Sequence, residues 1–193
     1  MNLFILLRLQ YLRMFKGHVN IDFVNDEMLH RIKFTEHTNT VYSGGFWDKM
    51  GVAVPDYPHD APWVYQVFEA DCDYWVHEVK HLFDNVLKYS VATVNCIKPG
   101  RFIAPHTDTL YKIRQKVKNE KLNVKGLEPV RINLFLQDRL MGHYFEMDDK
   151  CWIDYKKGDY TVIKPNTVHH VANLGYQNRY TLQVTGFAEK NVF

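Results

Sequence analysis

Cys72, Cys96 and Cys151 are the only cysteines in the chain. They are far apart, odd in number and outside any C-x-x-C spacing, which argues against a disulfide framework and against a structural zinc site. Reduced thiols in a cytoplasmic protein are the simpler expectation. Charge of one sign is also scarce: 24 Lys and Arg against 22 Asp and Glu leave a net charge of +2. That is too little to imply nucleic acid as a partner by itself. No internal repeat, low-complexity tract or Gly/Ser linker divides the 193 residues, so one domain over 1–193 is expected. Long apolar runs are missing too. The opening segment MNLFILLRLQYLRMF is interrupted by Arg8 and Arg13. Its apolar stretch is too short to span a bilayer, and no small-residue cleavage site follows as in a signal peptide. Met1 to Phe15 is expected to form a short amphipathic helix on the domain or a loose extension, with Met14 available as a second start.

Aromatic residues, by contrast, are abundant: 12 Tyr, 12 Phe and 4 Trp. That suits a strand-rich fold with a large core. Residues 1–90 read as a mixed α/β supporting region. A short strand and a short helix are expected between His18 and Phe34, a loop from Ser43 to Pro62, and the main helix from Glu69 to Leu87. In that helix Val76, Val79, Leu82, Phe83, Val86 and Leu87 recur at helical spacing. Residues 91–190 read as a series of short strands: Tyr89 to Ile97, Val130 to Gln137, Tyr144 to Met147, Cys151 to Tyr155, Asp159 to Ile163, Val168 to Asn173 and Arg179 to Phe187. Lys98-Pro99-Gly100, Asp148-Asp149, Lys157-Gly158, Pro165-Asn166 and Gly175 supply turns. Many short strands separated this way predict a mainly β fold, a jelly roll or double-stranded β-helix of cupin type, braced by helices from the first half. The basic stretch Lys112 to Lys125 is expected as a solvated loop or short surface helix, with a substrate lid as the sharper alternative.

The chemistry concentrates at Arg101 to Leu110, RFIAPHTDTL. His106 and Asp108 are two apart, so an extended segment turns both to one side, where an imidazole and a carboxylate can share an ion. A lone H-x-D is weak evidence. It gains weight from His169-His170 far downstream, of which strand alternation admits one to a given cavity. Two histidines and one carboxylate cover a single face of octahedral iron(II) and leave three positions open, whereas a structural zinc site is closed by four ligands. In Arg179-Tyr180-Thr181-Leu182-Gln183-Val184, polar and apolar residues alternate. Arg179 and Thr181 therefore share a face, and an arginine fork beside a hydroxyl matches a carboxylate.

These segments together resemble the iron(II)/2-oxoglutarate-dependent oxygenases, most of all the aspartyl/asparaginyl β-hydroxylase branch, which includes some free-proline hydroxylases. The resemblance runs over about Thr93 to Phe187, through PHTD, VRINLFL, GHYFEMDDKCWIDYKKGDYTVI, VHHVAN and NRYTLQV. It implies His106, Asp108 and His169 as iron ligands, with His170 the alternative to His169. The H-x-V pattern with arginine ten residues on favours His169. Arg179, supported by Thr181, would pair with the distal carboxylate of 2-oxoglutarate. On the VRINLFL strand, Asn133 would touch the cosubstrate and Arg131 would meet cosubstrate or substrate. Asp108 places the chain with full-triad members and not with the related halogenases.

The resemblance implies hydroxylation of an amino-acid side chain, free or in a peptide, with dioxygen consumed and succinate and CO2 released. Trp47, Trp63 and Tyr65 are candidates for an entrance, with core packing the commoner use of such residues. Two other readings compete. A cupin-type metalloenzyme without 2-oxoglutarate would keep the three ligands and need no Arg179. A non-catalytic jelly-roll binding protein would use the histidines as ordinary polar residues.

Overall fold

In a computed structural model of the chain, residues 17–37 and 64–193 are described. The expected N-terminal helix, the Ser43 to Pro62 loop, Trp47 and Trp63 lie outside the described residues. Eleven strands and three α-helices follow one another among the rest. They are β1 (Gly17–His18), α1 (Asp26–Arg31), β2 (Thr35–His37), β3 (Val64–Phe68), α2 (Tyr74–His81), β4 (Lys88–Ile97), β5 (Arg101–His106), α3 (Tyr111–Glu120), β6 (Leu127–Phe135), β7 (His143–Met147), β8 (Lys150–Cys151), β9 (Asp159–Ile163), β10 (His169–Asn173) and β11 (Arg179–Glu189).

The strands form two sheets, ordered β1-β9-β6-β11-β4-β3-β2 and β5-β10-β7-β8. Every pairing is antiparallel. From β4 onward the chain crosses repeatedly from one sheet to the other, so that β9-β6-β11-β4 faces β5-β10-β7-β8. This is the double-stranded β-helix, a jelly roll in the cupin manner. β1, β2 and β3 widen the larger sheet at its two edges. Asp148 and Asp149, at φ 50° and 58°, link β7 and β8 as the two-residue turn that the twist of a hairpin favours.

Two hydrophobic layers flank the larger sheet. On its outer face Leu29 of α1 and Trp75, Val76 and Val79 of α2, with Phe83 beyond, pack against Val94, Ile132, Leu134, Leu182 and Val184. The helical layer from the first half therefore braces this sheet. Between the sheets lie Val64, Ile97, Phe135, Phe145, Trp152, Tyr155 and Val171. α1 is capped by Asn25, whose Oδ1 accepts from the Met28 amide at 3.0 Å, and Asp26 and Glu27 suit its N-terminal dipole.

Two segments differ from expectation. The helix expected over Glu69 to Leu87 is confined to Tyr74–His81, after a 3-10 turn at Glu69–Asp71. Leu82, 43 % exposed, leaves the apolar stripe where the helix ends. The strand expected over Cys151 to Tyr155 stops at Cys151. Trp152 and Tyr155 are both 1 % exposed. Three residues apart, they cannot share a face of a strand with period two, so the backbone turns irregularly to bury both. The Lys112 to Lys125 stretch is α3 in its first part. Ile113, 0 % exposed, anchors it against Leu110 and Phe187. All three cysteines are free. No helix among the described residues is long and apolar enough to cross a membrane.

Candidate metal centre

His106 is the last residue of β5 and His169 the first of β10. The two strands are neighbours, and these residues are Cα partners across them. Their rings lie 4.2 Å apart, centre to centre, tilted by 50°. Asp108 lies two residues past the end of β5. Its Oδ1 is 3.7 Å from His106 Nε2 and its Oδ2 3.7 Å from His169 Nε2. One ligand atom from each of the three residues falls within 4.8 Å of the others, close enough for one ion to meet all three. The convergence expected of i and i+2 is present, but the chain leaving the strand makes it, not the strand itself.

Hydrogen bonding leaves one ring nitrogen of His169 free to meet a metal ion. Its Nδ1 lies 3.1 Å from the Thr167 carbonyl. A carbonyl only accepts, so Nδ1 carries the proton and Nε2 presents a lone pair toward Asp108. Burial holds this imidazole below its usual range, against the pull of the Asp108 carboxylate, and so favours the neutral form that binds metal. Burial alone would push Asp108 up. Arg131, His169 and His106 together outweigh it and hold the carboxyl below its usual range. His170 points elsewhere: its ring stacks on Tyr144 at 5.1 Å and its Nδ1 lies 3.9 Å from Glu146.

The triad opens into a cavity of about 110 Å³ between the sheets, and Arg131, Asn133, Arg179 and Thr181 all line it. In β11, Arg179, Thr181 and Gln183 face this cavity, while Tyr180, Leu182 and Val184 enter the outer core. Arg179 is 3 % exposed, and its Nε and Nη2 find no hydrogen-bond partner among the described residues. Phe135, Phe145 and Tyr155 surround its guanidinium at 5.7, 5.9 and 5.8 Å. Burial pushes its pKa down, with Tyr155 pulling the other way. Arg131 is engaged differently. Its Nη1 donates to Asp108 Oδ2 at 2.7 Å and its Nε to Thr185 Oγ1 at 3.0 Å.

Sequence reasoning did not single out Gln66, Asn95 or Gln183, all of which line the cavity. Gln66 donates to Asn95 Oδ1 at 2.5 Å, and Asn95 Nδ2, buried, has no partner among the described residues. The signal was present in β4, where Thr93 and Asn95 alternate with Ala92, Val94 and Cys96.

No protein-family model matches the sequence, and no curated protein matches it. Solved structures resemble it distantly. A prolyl-4-hydroxylase from Pseudomonas putida is 14% identical over 66% of this chain and 73% of its own, with a TM-score of 0.46. KdgF from Halomonas sp. is 12% identical over 66% of this chain and 82% of its own, at 0.40. A cupin protein from Bacteroides fragilis is 13% identical over 58% and 76%, at 0.36. The fold assignment rests on strand order and register. Fold and site together define a double-stranded β-helix protein whose His, Asp and His side chains can hold a metal ion.

Proposed function

We propose that the chain is an iron(II)- and 2-oxoglutarate-dependent dioxygenase that hydroxylates an amino-acid side chain, free or in a peptide. The observation that carries this reading is the guanidinium of Arg179, buried in the same cavity as the triad with Nε and Nη2 lacking a hydrogen-bond partner among the described residues. A buried charge with no counter-ion among the described residues is costly. The dicarboxylate 2-oxoglutarate supplies one, and two orphaned donors on one fork suit a carboxylate.

The residues fit the group. His106, Asp108 and His169 would hold iron(II) on one face, and Arg179 with Thr181 would take the distal carboxylate. Bound iron with 2-oxoglutarate supplies the activation of dioxygen, coupled to decarboxylation to succinate, that oxidises a C–H bond. The protein's own part is position and electrostatics. His169 keeps its proton on Nδ1 and its lone pair on Nε2. Arg131 keeps Asp108 ionised. Phe135, Phe145 and Tyr155 keep water from the Arg179 fork. A cupin metalloenzyme without 2-oxoglutarate would use the same triad but leave Arg179 uncompensated.

Anaerobic titration with iron(II) and then 2-oxoglutarate tests the proposal. A weak visible charge-transfer band and one equivalent of each ligand are expected, followed by succinate release in air with amino acids or peptides. A protein that binds iron but shows neither band nor 2-oxoglutarate uptake refutes it.

A further inference from the structure

Asp108 lies outside the sheet, since β5 ends at His106. Nothing in the ladder therefore fixes how its carboxylate turns. Arg131 does. Its Nη1 holds Oδ2 at 2.7 Å while its Nε is tied to Thr185 Oγ1 at 3.0 Å. Two bonds from different edges of a planar fork fix the guanidinium in both position and tilt. The backbone beneath is paired on both sides: Arg131 is a Cα partner of Thr185 on β11 and of Ile163 on β9. The pair is also well shielded, with side chains 18% and 11% exposed.

We propose that Arg131 is a positioning residue for the metal, occupying one oxygen of Asp108 so that the carboxylate meets the ion through the other alone. The inference rests on the reading of His106, Asp108 and His169 as metal ligands. A free carboxylate can chelate through both oxygens. Two histidines and a chelating carboxylate would leave two of six positions open. A carboxylate restricted to one oxygen leaves three, one more than a chelating 2-keto acid fills. Arg131 also neutralises Asp108 when no metal is bound, so the ligands are held together in advance. Side chains behind the ligands that orient them commonly matter to metal affinity as much as a weak ligand does. This assigns Arg131 to the carboxylate ligand and not to the cosubstrate or substrate.

The test uses the full chain with Mn(II) and Co(II) as probes, and reads metal affinity, the Co(II) absorption spectrum and 2-oxoglutarate affinity separately. Arg131→Met is expected to bind Mn(II) about 10- to 100-fold more weakly, with a changed Co(II) spectrum. Arg131→Lys is expected to recover part of the affinity, because an ammonium can reach one oxygen, but not the wild-type spectrum, because it cannot also hold Thr185. Thr185→Val keeps the charge pair and removes only the second anchor, so a smaller loss with a shifted spectrum is expected. A folded Arg131→Met with wild-type metal affinity and spectrum overturns the inference. If that variant binds 2-oxoglutarate more weakly instead, Arg131 belongs to the cosubstrate. Tighter metal binding overturns it as well, since Arg131 would then act only by repulsion. If Arg131→Met does not fold, Thr185→Val decides, and unchanged affinity and spectrum overturn the inference. Failure of the metal reading itself looks different: wild type takes up no metal, or Asp108→Ala takes up as much as wild type.

Discussion

Replacing Arg179 with methionine is expected to move stability and ligand binding in opposite directions. The guanidinium is buried, and its Nε and Nη2 have no hydrogen-bond partner among the described residues. Each unsatisfied buried donor costs about 1–3 kcal/mol, and more when charged. The rings of Phe135, Phe145 and Tyr155 return roughly 0.5–2 kcal/mol through cation–π attraction. Methionine has comparable reach and packs well against aromatic edges, so it removes the cost and keeps most of the contact. We expect the ligand-free variant to be more stable by about 1–3 kcal/mol, in line with other replacements of buried charge by apolar side chains. Each kcal/mol raises the melting temperature of a chain this size by about 2–4 °C. Binding should go the other way. Removing one side of a desolvated, hydrogen-bonded charge pair costs about 2–5 kcal/mol, a loss of roughly 30- to 5,000-fold in 2-oxoglutarate affinity. Thermal melts with and without Mn(II) and 2-oxoglutarate measure both effects. Wild type should melt higher with the ligands, and Arg179→Met should melt higher without them and gain nothing from 2-oxoglutarate. A variant that melts clearly below wild type when ligand-free, or that keeps the full 2-oxoglutarate shift, refutes the reasoning.

Asp108→Ala leaves Arg131 without its carboxylate, and we expect denaturant titration to show a loss of about 3 kcal/mol together with loss of metal uptake. Adding Arg131→Met should restore part of that stability and none of the metal, and an unaffected single variant would show that the pair contributes nothing. His143 is 1 % exposed, and burial, reinforced by Arg179 and Arg139 against the pull of the Gln177 carbonyl, holds its imidazole below the usual range. The unfolded chain therefore takes a proton that the folded chain resists, so this contribution is complete above the ordinary histidine value near 6.5 and is lost as pH falls below it; urea midpoints from neutral to mildly acid pH should fall less steeply in His143→Phe, and equal slopes would exonerate His143. Gly142 sits at φ +83°, and an added Cβ would lie 2.2 Å from the Gly175 amide nitrogen. Gly142→Ala should thus cost more than about 1 kcal/mol, and a wild-type melting temperature would contradict that close approach.

The parts of this molecule that could be read from sequence are those whose physics is local. Strand alternation sorted β11 correctly, sending Tyr180, Leu182 and Val184 outward into the helical core and Arg179 and Thr181 into the cavity. Turn chemistry marked the ends of most strands for the same reason: φ > 0 at Asp148, Asp149 and Asn166 is demanded by a few neighbouring atoms. Local rules failed where burial was set from a distance. Trp152 and Tyr155 have strong strand propensity, yet both must fill the space beside Phe135, whose ring stacks on Tyr155 at 3.8 Å. That demand overrides the period of a strand. The choice between His169 and His170 shows the same limit. Alternation says that they face apart; the H-x-V spacing to Arg179 favours His169 by resemblance, and the pairing of β10 with β5 sets His169 opposite His106. The Arg131–Asp108 bond lies beyond any pattern, because it joins β6 to a loop 23 positions earlier across two sheets. One class of signal was nonetheless present and underused. Asn95 and Gln183, like Thr181, are polar residues whose sequence neighbours are buried and apolar. A buried strand face that carries amides, hydroxyls and guanidinium groups where it could carry leucine gives up hydrophobic stabilisation at each position. That cost makes the face formed by Asn95, Asn133, Thr181 and Gln183, all lining the cavity, the one on which polar-to-apolar substitutions should raise stability.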